Sequence, residues 1–291
     1  MHRNLLNLVF VLSLLIAITG CFCRSDRDKD KADPSTGSTS ANASKTGDNS
    51  VRGFKVDAGD FIVEQAEVTN PKYIEIDAQI RREKLLENAA DRLNKALILP
   101  HDIYLRTKVC GERNAFYDSS DHSVTVCYEM IEHFYHVFRS DGASEDKAYD
   151  KMFDAVRFVF LHEIGHALID TYKLPVAGNE EDAADRCSAY INLEELGDDG
   201  VKAVFAAAEA FAIESKQSGG SRVRNMADEH LLQEQRFYNS LCMIYGSNSR
   251  KYQKIVTEGF LPKERAVRCE AEYARTRQSW IDLLAQWRKD K

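Results

Sequence analysis

Past its first eighteen residues this 291-residue sequence has no apolar run long enough to span a bilayer, no basic patch, no internal repeat and, after Cys21-Phe22-Cys23, no closely spaced cysteine pair. The first absence argues against a mature transmembrane helix. The second argues against a nucleic-acid partner, since 39 Lys and Arg face 46 Asp and Glu and the formal charge is -7. The third removes the solenoid and propeller architectures. The fourth makes a thiolate zinc site a poor reading of the seven cysteines, for which disulfides are the better expectation.

What is present begins with a leader. Arg3 gives a weak positive start, Leu5 to Ile18 an apolar core, and Ile18-Thr19-Gly20-Cys21 resembles the lipobox cut by the bacterial lipoprotein signal peptidase. That resemblance implies removal of residues 1–20 and a diacylated Cys21, stably anchored because more than one acyl chain is attached. The expected place is the bacterial cell envelope, on the outer face of the cytoplasmic membrane or in the outer membrane. Residues 21–50 are rich in Ser, Asp, Lys, Thr, Gly and Asn and nearly empty of large apolar side chains, as a flexible tether is. Residues 51–291 are then of a size for one domain.

Within that domain the stretch Phe160-Leu161-His162-Glu163-Ile164-Gly165-His166-Ala167-Leu168 carries the chemistry. Two histidines four residues apart project from one face of a helix, so both imidazoles can reach one ion while the backbone stays regular. Glu163 lies roughly 100° round from His162, which suits a carboxylate that touches a metal-activated water and not the metal. From Tyr149 to Ile169 there is no proline, and Met152, Ala155, Val156, Val159, Phe160, Ala167 and Leu168 recur at helical spacing. Gly165 costs about 1 kcal/mol against alanine inside a helix, which points to a neighbour too close for a side chain. The bland reading is a core helix with two hydrogen-bonded histidines.

Leu174-Pro175 ends this helix and Gly178 marks the turn into the next. Asn179-Glu180-Glu181-Asp182-Ala183-Ala184-Asp185-Arg186 opens with a capping residue and first-turn acids. Glu181 and Asp185 share a face, so Glu181 can be a third ligand while Asp185 accepts a histidine N–H and fixes its tautomer. Glu180 and Asp182 compete for the ligand position, but neither has an acid four residues on. His-Glu-x-x-His followed by Glu-x-x-x-Asp resembles the gluzincin branch of the zincin metallopeptidases. The resemblance implies that zinc is held by His162, His166 and Glu181, that Glu163 is the general base, and that Asp185 supports a ligand from behind.

The flanking chain fits an α+β, zincin-like fold: a small mixed or antiparallel sheet, the metal-binding helix, and a mainly helical C-terminal part. Phe61-Ile62-Val63, Tyr73-Ile74-Glu75-Ile76 and Ile103 to Val109 read as strands, with a helix from about Gln79 to Leu97. Ala115-Phe116-Tyr117 and Ser123 to Val126 make a hairpin around Asp118-Ser119-Ser120-Asp121. In zincins such a sheet edge pairs with extended peptide substrate. Cys110 and Cys127 flank the hairpin, and export permits a disulfide there. Cys242 with Cys269 is the favoured second pair, leaving Cys187 buried and free, although spacing does not fix connectivity. Helices are expected over Val201 to Ser215, Asp228 to Tyr245 after the loop Ser218-Gly219-Gly220-Ser221, and about Arg265 to Trp287. His230 and Tyr238 are candidates for the donor that a peptidase aims at the developing oxyanion; a helix start and a core tyrosine are the plain alternatives.

From Asn114 to Trp280 the chain resembles a bacterial family of metallopeptidases of otherwise unknown function, through Asn114-Ala115-Phe116-Tyr117, the His162 to His166 helix, Glu181-Asp182-Ala183-Ala184-Asp185 and Gln235-Arg236-Phe237-Tyr238-Asn239. The function this implies is zinc-dependent hydrolysis of peptide bonds in a peptide or protein substrate. A metal-dependent amidase acting on cell-wall peptides would use the same site. A non-catalytic envelope lipoprotein, using a metal-stabilised fold to bind a partner, would bind zinc without turnover.

Overall fold

Strand Ile103–Lys108 shows the alternation that a half-covered sheet demands, with Ile103, Leu105 and Thr107 buried and the residues between them half-buried. It is β2 of a mixed four-stranded sheet whose other members are β1 (Phe61–Glu64), β3 (Ala115–Asp118) and β4 (Ser123–Cys127), in the order β1-β2-β4-β3. The computed structural model describes residues 55–65, 67–217 and 229–289. The leader, Cys21, the tether and the loop at 218–221 lie outside those residues. None of the described helices is long and apolar enough to cross a membrane.

β1 and β2 run parallel, as do β2 and β4, whereas β3 is antiparallel to β4 with Ala115 opposite Val126 and Tyr117 opposite Val124. A parallel pair needs a crossover, supplied here by α1 (Ile74–Glu83) and α2 (Leu85–Ala96). β4 is buried along its whole length, and among the described residues β3 pairs with β4 alone, so no described strand covers its outer backbone edge.

Two sequence expectations fail in the first helical layer. Tyr73-Ile74-Glu75-Ile76 is helical, not a strand: Asn70 accepts from Lys72 N and Pro71 opens a 3-10 turn, Pro71–Tyr73, that leads into α1. The fixed proline φ at a first helical position and the asparagine cap outweigh the β-branched pattern. The single helix expected from Gln79 to Leu97 is two, because Lys84 adopts φ 51° and turns the chain between α1 and α2. Leu85, Leu86 and Leu93 nevertheless point inward as expected.

After the sheet the chain is helical: α3 (Tyr128–Ser140), α4 (Glu145–Tyr172), α5 (Glu180–Glu195), α6 (Gly197–Gln217), α7 (Gln233–Ser247), α8 (Lys254–Thr257), α9 (Lys263–Ala266) and α10 (Cys269–Leu284). The last expected helix is thus interrupted, and α10 ends in a 3-10 turn, Ala285–Trp287. α4 is the spine. Ser144 caps its start by accepting from Lys147 N, Lys173 closes it in a left-handed conformation, and Met152, Ala155, Val156, Phe160, Ile164, Ala167 and Leu168 are all buried. One apolar cluster joins α4 to the sheet and α2; a second joins α6, α7 and α10 through Phe211, Leu241, Ile244 and Tyr273. Disulfides Cys110–Cys127 and Cys242–Cys269 close the two pairs, and Cys187 is free and buried.

Candidate metal centre

The site is made where α5 crosses α4. A Cβ on Gly165 would lie 3.1 Å from both Ala184 Cα and Cys187 Cβ, so any side chain there would push the two helices apart by a few tenths of an ångström. The turn through Gly178, at φ +100°, and the Asn179 cap, which accepts from Asp182 N, aim the first turn of α5 back at α4. Glu181 therefore faces His162 and His166.

Two imidazole nitrogens and one carboxylate converge there. His162 Nε2 and His166 Nε2 are 3.2 Å apart, Glu181 Oε2 is 3.1 Å from the first, and Glu181 Oε1 is 3.3 Å from the second. Among the described residues this trio is one of two groups of His, Cys, Asp or Glu close enough to share an ion. The other, Cys110, Cys127 and Glu129, has its sulfurs joined to each other. Donor atoms at the corners of a tetrahedron with bonds of 2.0–2.1 Å stand roughly 3.3–3.4 Å apart. The observed separations of 3.1–3.3 Å lie close to that spacing, and the imidazole and carboxylate donors are of the kind a first-row divalent metal takes.

Each imidazole is held from behind. His162 Nδ1–H donates to Asp185 Oδ1 at 2.8 Å and His166 Nδ1–H to Glu180 Oε1 at 2.8 Å, which leaves both Nε2 lone pairs for a cation. Asp185 is clamped by Arg236 of α7, whose Nε and Nη2 reach its two oxygens at 2.8 and 2.7 Å, and that guanidinium lies 4.1 Å over the Phe211 ring. Glu180 thus stands behind a histidine instead of competing for the ion. Asp182, the other competitor, pairs with Arg186 at 2.7 Å.

The electrostatics favour positive charge. Burial disfavours the imidazolium of His162, yet its bonds to Asp185 and Glu181 push its pKa up to about 9, and His166 is raised by Glu181 and Glu180 against the same burial. Burial also opposes ionisation of Glu181 and Asp185. The hydrogen bonds of three histidines to Glu181, and the Arg236 charge with the His162 bond to Asp185, nevertheless hold both carboxyls far below the usual range. A cation taking the two Nε2 atoms displaces protons, so its affinity rises with pH. Glu163 is buried, and that burial pushes its carboxyl upward against the pull of His162 and His166.

A cavity of about 970 Å³ opens over these groups, lined by Ala115, Phe116 and Tyr117 of β3 and by Glu163 and His230 among others. Tyr117 Oη donates to Asp170 Oδ2 at 2.9 Å, which ties the edge strand to α4 one turn beyond His166. His230 Nε2 lies 2.8 Å from Glu181 Oε2, and its ring stacks on His162 at 5.9 Å. Tyr238 is not brought in: it is 37% exposed, outside the cavity lining, and its ring leans on Phe237. Two positions along α7 from Arg236, it points to another side of the helix. Glu180 and Arg236 are the groups that sequence reasoning missed in their observed roles. Arg236 had a signal, being a basic residue inside the Gln235 to Asn239 run, but nothing named its partner.

No curated protein and no solved structure matches the chain. The family described as "Putative metallopeptidase" has a model that matches residues 65–284, and the chain belongs to that family.

Proposed function

We propose that this member of the family hydrolyses peptide bonds with a zinc ion held by His162, His166 and Glu181, in a zincin-like arrangement of the gluzincin type. The observation that carries the reading is the triangle of two Nε2 atoms and one carboxylate at 3.1–3.3 Å, with each Nδ1 already engaged by an acid. The ion, when bound, supplies Lewis acidity that acidifies a water and polarises the scissile carbonyl.

The chain's own groups do the rest. The open edge of β3 receives an extended peptide by strand pairing, which lays the scissile bond across α4. Glu163 takes a proton from the attacking water and returns it to the leaving amine. His230, across the cavity from β3, donates to the oxyanion; its place against Glu181 and His162 supports this role over that of Tyr238. In the cell the domain is carried outside the cytoplasmic membrane on a lipid at Cys21, and its substrates are envelope peptides or proteins.

The test is Glu163→Gln in the full chain, assayed for metal content and for cleavage of a peptide library. The variant keeps stoichiometric zinc and its fold, and loses turnover by about 10²–10⁴-fold. Turnover at the parent rate with the fold intact removes Glu163 from the chemistry. Absence of bound divalent metal in the parent protein removes the whole reading.

A further inference from the structure

His230 belongs to no helix or strand: it lies in the connection that leads into α7, with its side chain 45% exposed. A side chain on irregular backbone is aimed only as well as that backbone is tied down. Two bonds tie it. On one side Asn179 Nδ2, at the cap of α5, donates to the Glu229 carbonyl at 2.7 Å. On the other Gln233, the first residue of α7, donates from Nε2 to Glu214 Oε2 of α6 at 3.1 Å.

The second bond is the end of a longer path. Glu214 Oε1 accepts from His133 Nε2 of α3 at 2.7 Å, and Arg113, two residues before β3, reaches His133 Nδ1 from Nη1 at 3.1 Å. A guanidinium only donates and a carboxylate only accepts, so His133 accepts at Nδ1 and donates from Nε2, which is one neutral tautomer. The His133 and Glu214 side chains are 19% and 21% exposed, sheltered enough for these bonds to hold direction. The path thus runs from the start of the strand that forms one wall of the metal cavity to the segment that sets His230 in the other. Arg113, His133, Glu214 and Gln233 do not themselves line that cavity.

We infer that Glu214 and His133 are positioning residues that fix the imidazole of His230 relative to the substrate edge of β3. The inference rests on the reading of His230 as oxyanion donor and supplies what holds that donor in place. An oxyanion donor contributes only when it is aimed beforehand at the atom where charge develops, so its support belongs to the reaction as much as the donor does.

The test is steady-state cleavage by the full chain with isosteric Glu214→Gln, which offers one acceptor where two donors converge. Turnover falls about tenfold while KM and zinc affinity stay within about threefold of the parent, as expected of a group that aims a donor and touches neither substrate nor ion. Should that variant fail to fold, Gln233→Ala, which removes the last link alone, gives the same loss. His133→Ala repeats it, and His133→Gln, which again presents one acceptor and one donor, recovers most of the rate. Added to His230→Ala, Glu214→Gln costs nothing further, because the donor it aims is gone. Parent turnover in folded Glu214→Gln overturns the inference, as does a loss that persists undiminished on top of His230→Ala. Nuclear magnetic resonance of the histidine rings reads the same point without turnover: in Glu214→Gln the His230 signals, assigned through His230→Ala, shift or broaden. If the parent cleaves no peptide, the peptidase reading falls, and unmoved His230 signals overturn the positioning role by themselves.

Discussion

His162 and His166 make the same hydrogen bond in unlike surroundings. Each gives its Nδ1–H to a carboxylate at 2.8 Å. Behind His162 the carboxylate is Asp185, gripped at both oxygens by Arg236, and the side chains of that pair are 15% and 11% exposed. Behind His166 it is Glu180, whose side chain is 54% exposed in the first turn of α5. A hydrogen bond in a dry, pre-set frame holds its partner's direction; the same bond at the surface competes with water and with the side chain's own rotamers. The candidate metal site is therefore rigid at one imidazole and adjustable at the other.

The largest effect expected of this asymmetry is on stability. Arg236→Ala leaves Asp185 buried with half its partners gone, and removal of one member of a buried ion pair costs about 3–5 kcal/mol. Denaturant unfolding of metal-stripped protein measures it, and Arg236→Lys, which keeps the charge without the fork, falls between parent and alanine. A loss under about 1 kcal/mol breaks the comparison, since it makes the Asp185 side no stiffer than the Glu180 side. Next in size is Asp185→Asn, which alters the acceptor that fixes the His162 tautomer and lowers zinc affinity about 10- to 100-fold. Competition with a chelator of known affinity reads that change directly.

How much of this was legible before the fold was known follows from distance along the chain. The helix that carries His162 and His166, the Glu181 position and the Asp185 bond could be read because helical geometry alone relates residues four apart and the partners lie only 19 or 23 positions apart across one turn. Gly165 could be read as a close crossing for the same local reason. The Arg236 clamp could not, because it lies 51 positions from Asp185 and no local rule spans that distance. Tyr73 to Ile76 was misread although the cue was present: Asn70-Pro71 is a helix start, and four residues of alternating pattern weigh less than a cap and a proline. The break at Lys84 had no such cue. A lysine at φ 51° is a conformation that the residue's own preference does not announce.

The smallest expected effect sharpens the comparison most. Glu180→Gln keeps an acceptor within reach of His166 Nδ1 and removes only a charge that solvent already screens, so zinc affinity falls by at most about threefold and unfolding shifts by less than about 0.5 kcal/mol. The two acids make bonds of equal length to equivalent nitrogens, so this variant differs from Asp185→Asn in the enclosure of the acid and in the Arg236 clamp that comes with it. Measured side by side at one pH, the pair of variants isolates what enclosure contributes to a metal ligand's support. Equal losses from the two would mean that the hydrogen bond to Nδ1 matters whatever surrounds it, and that the Arg236 frame stabilises the fold without tuning the metal.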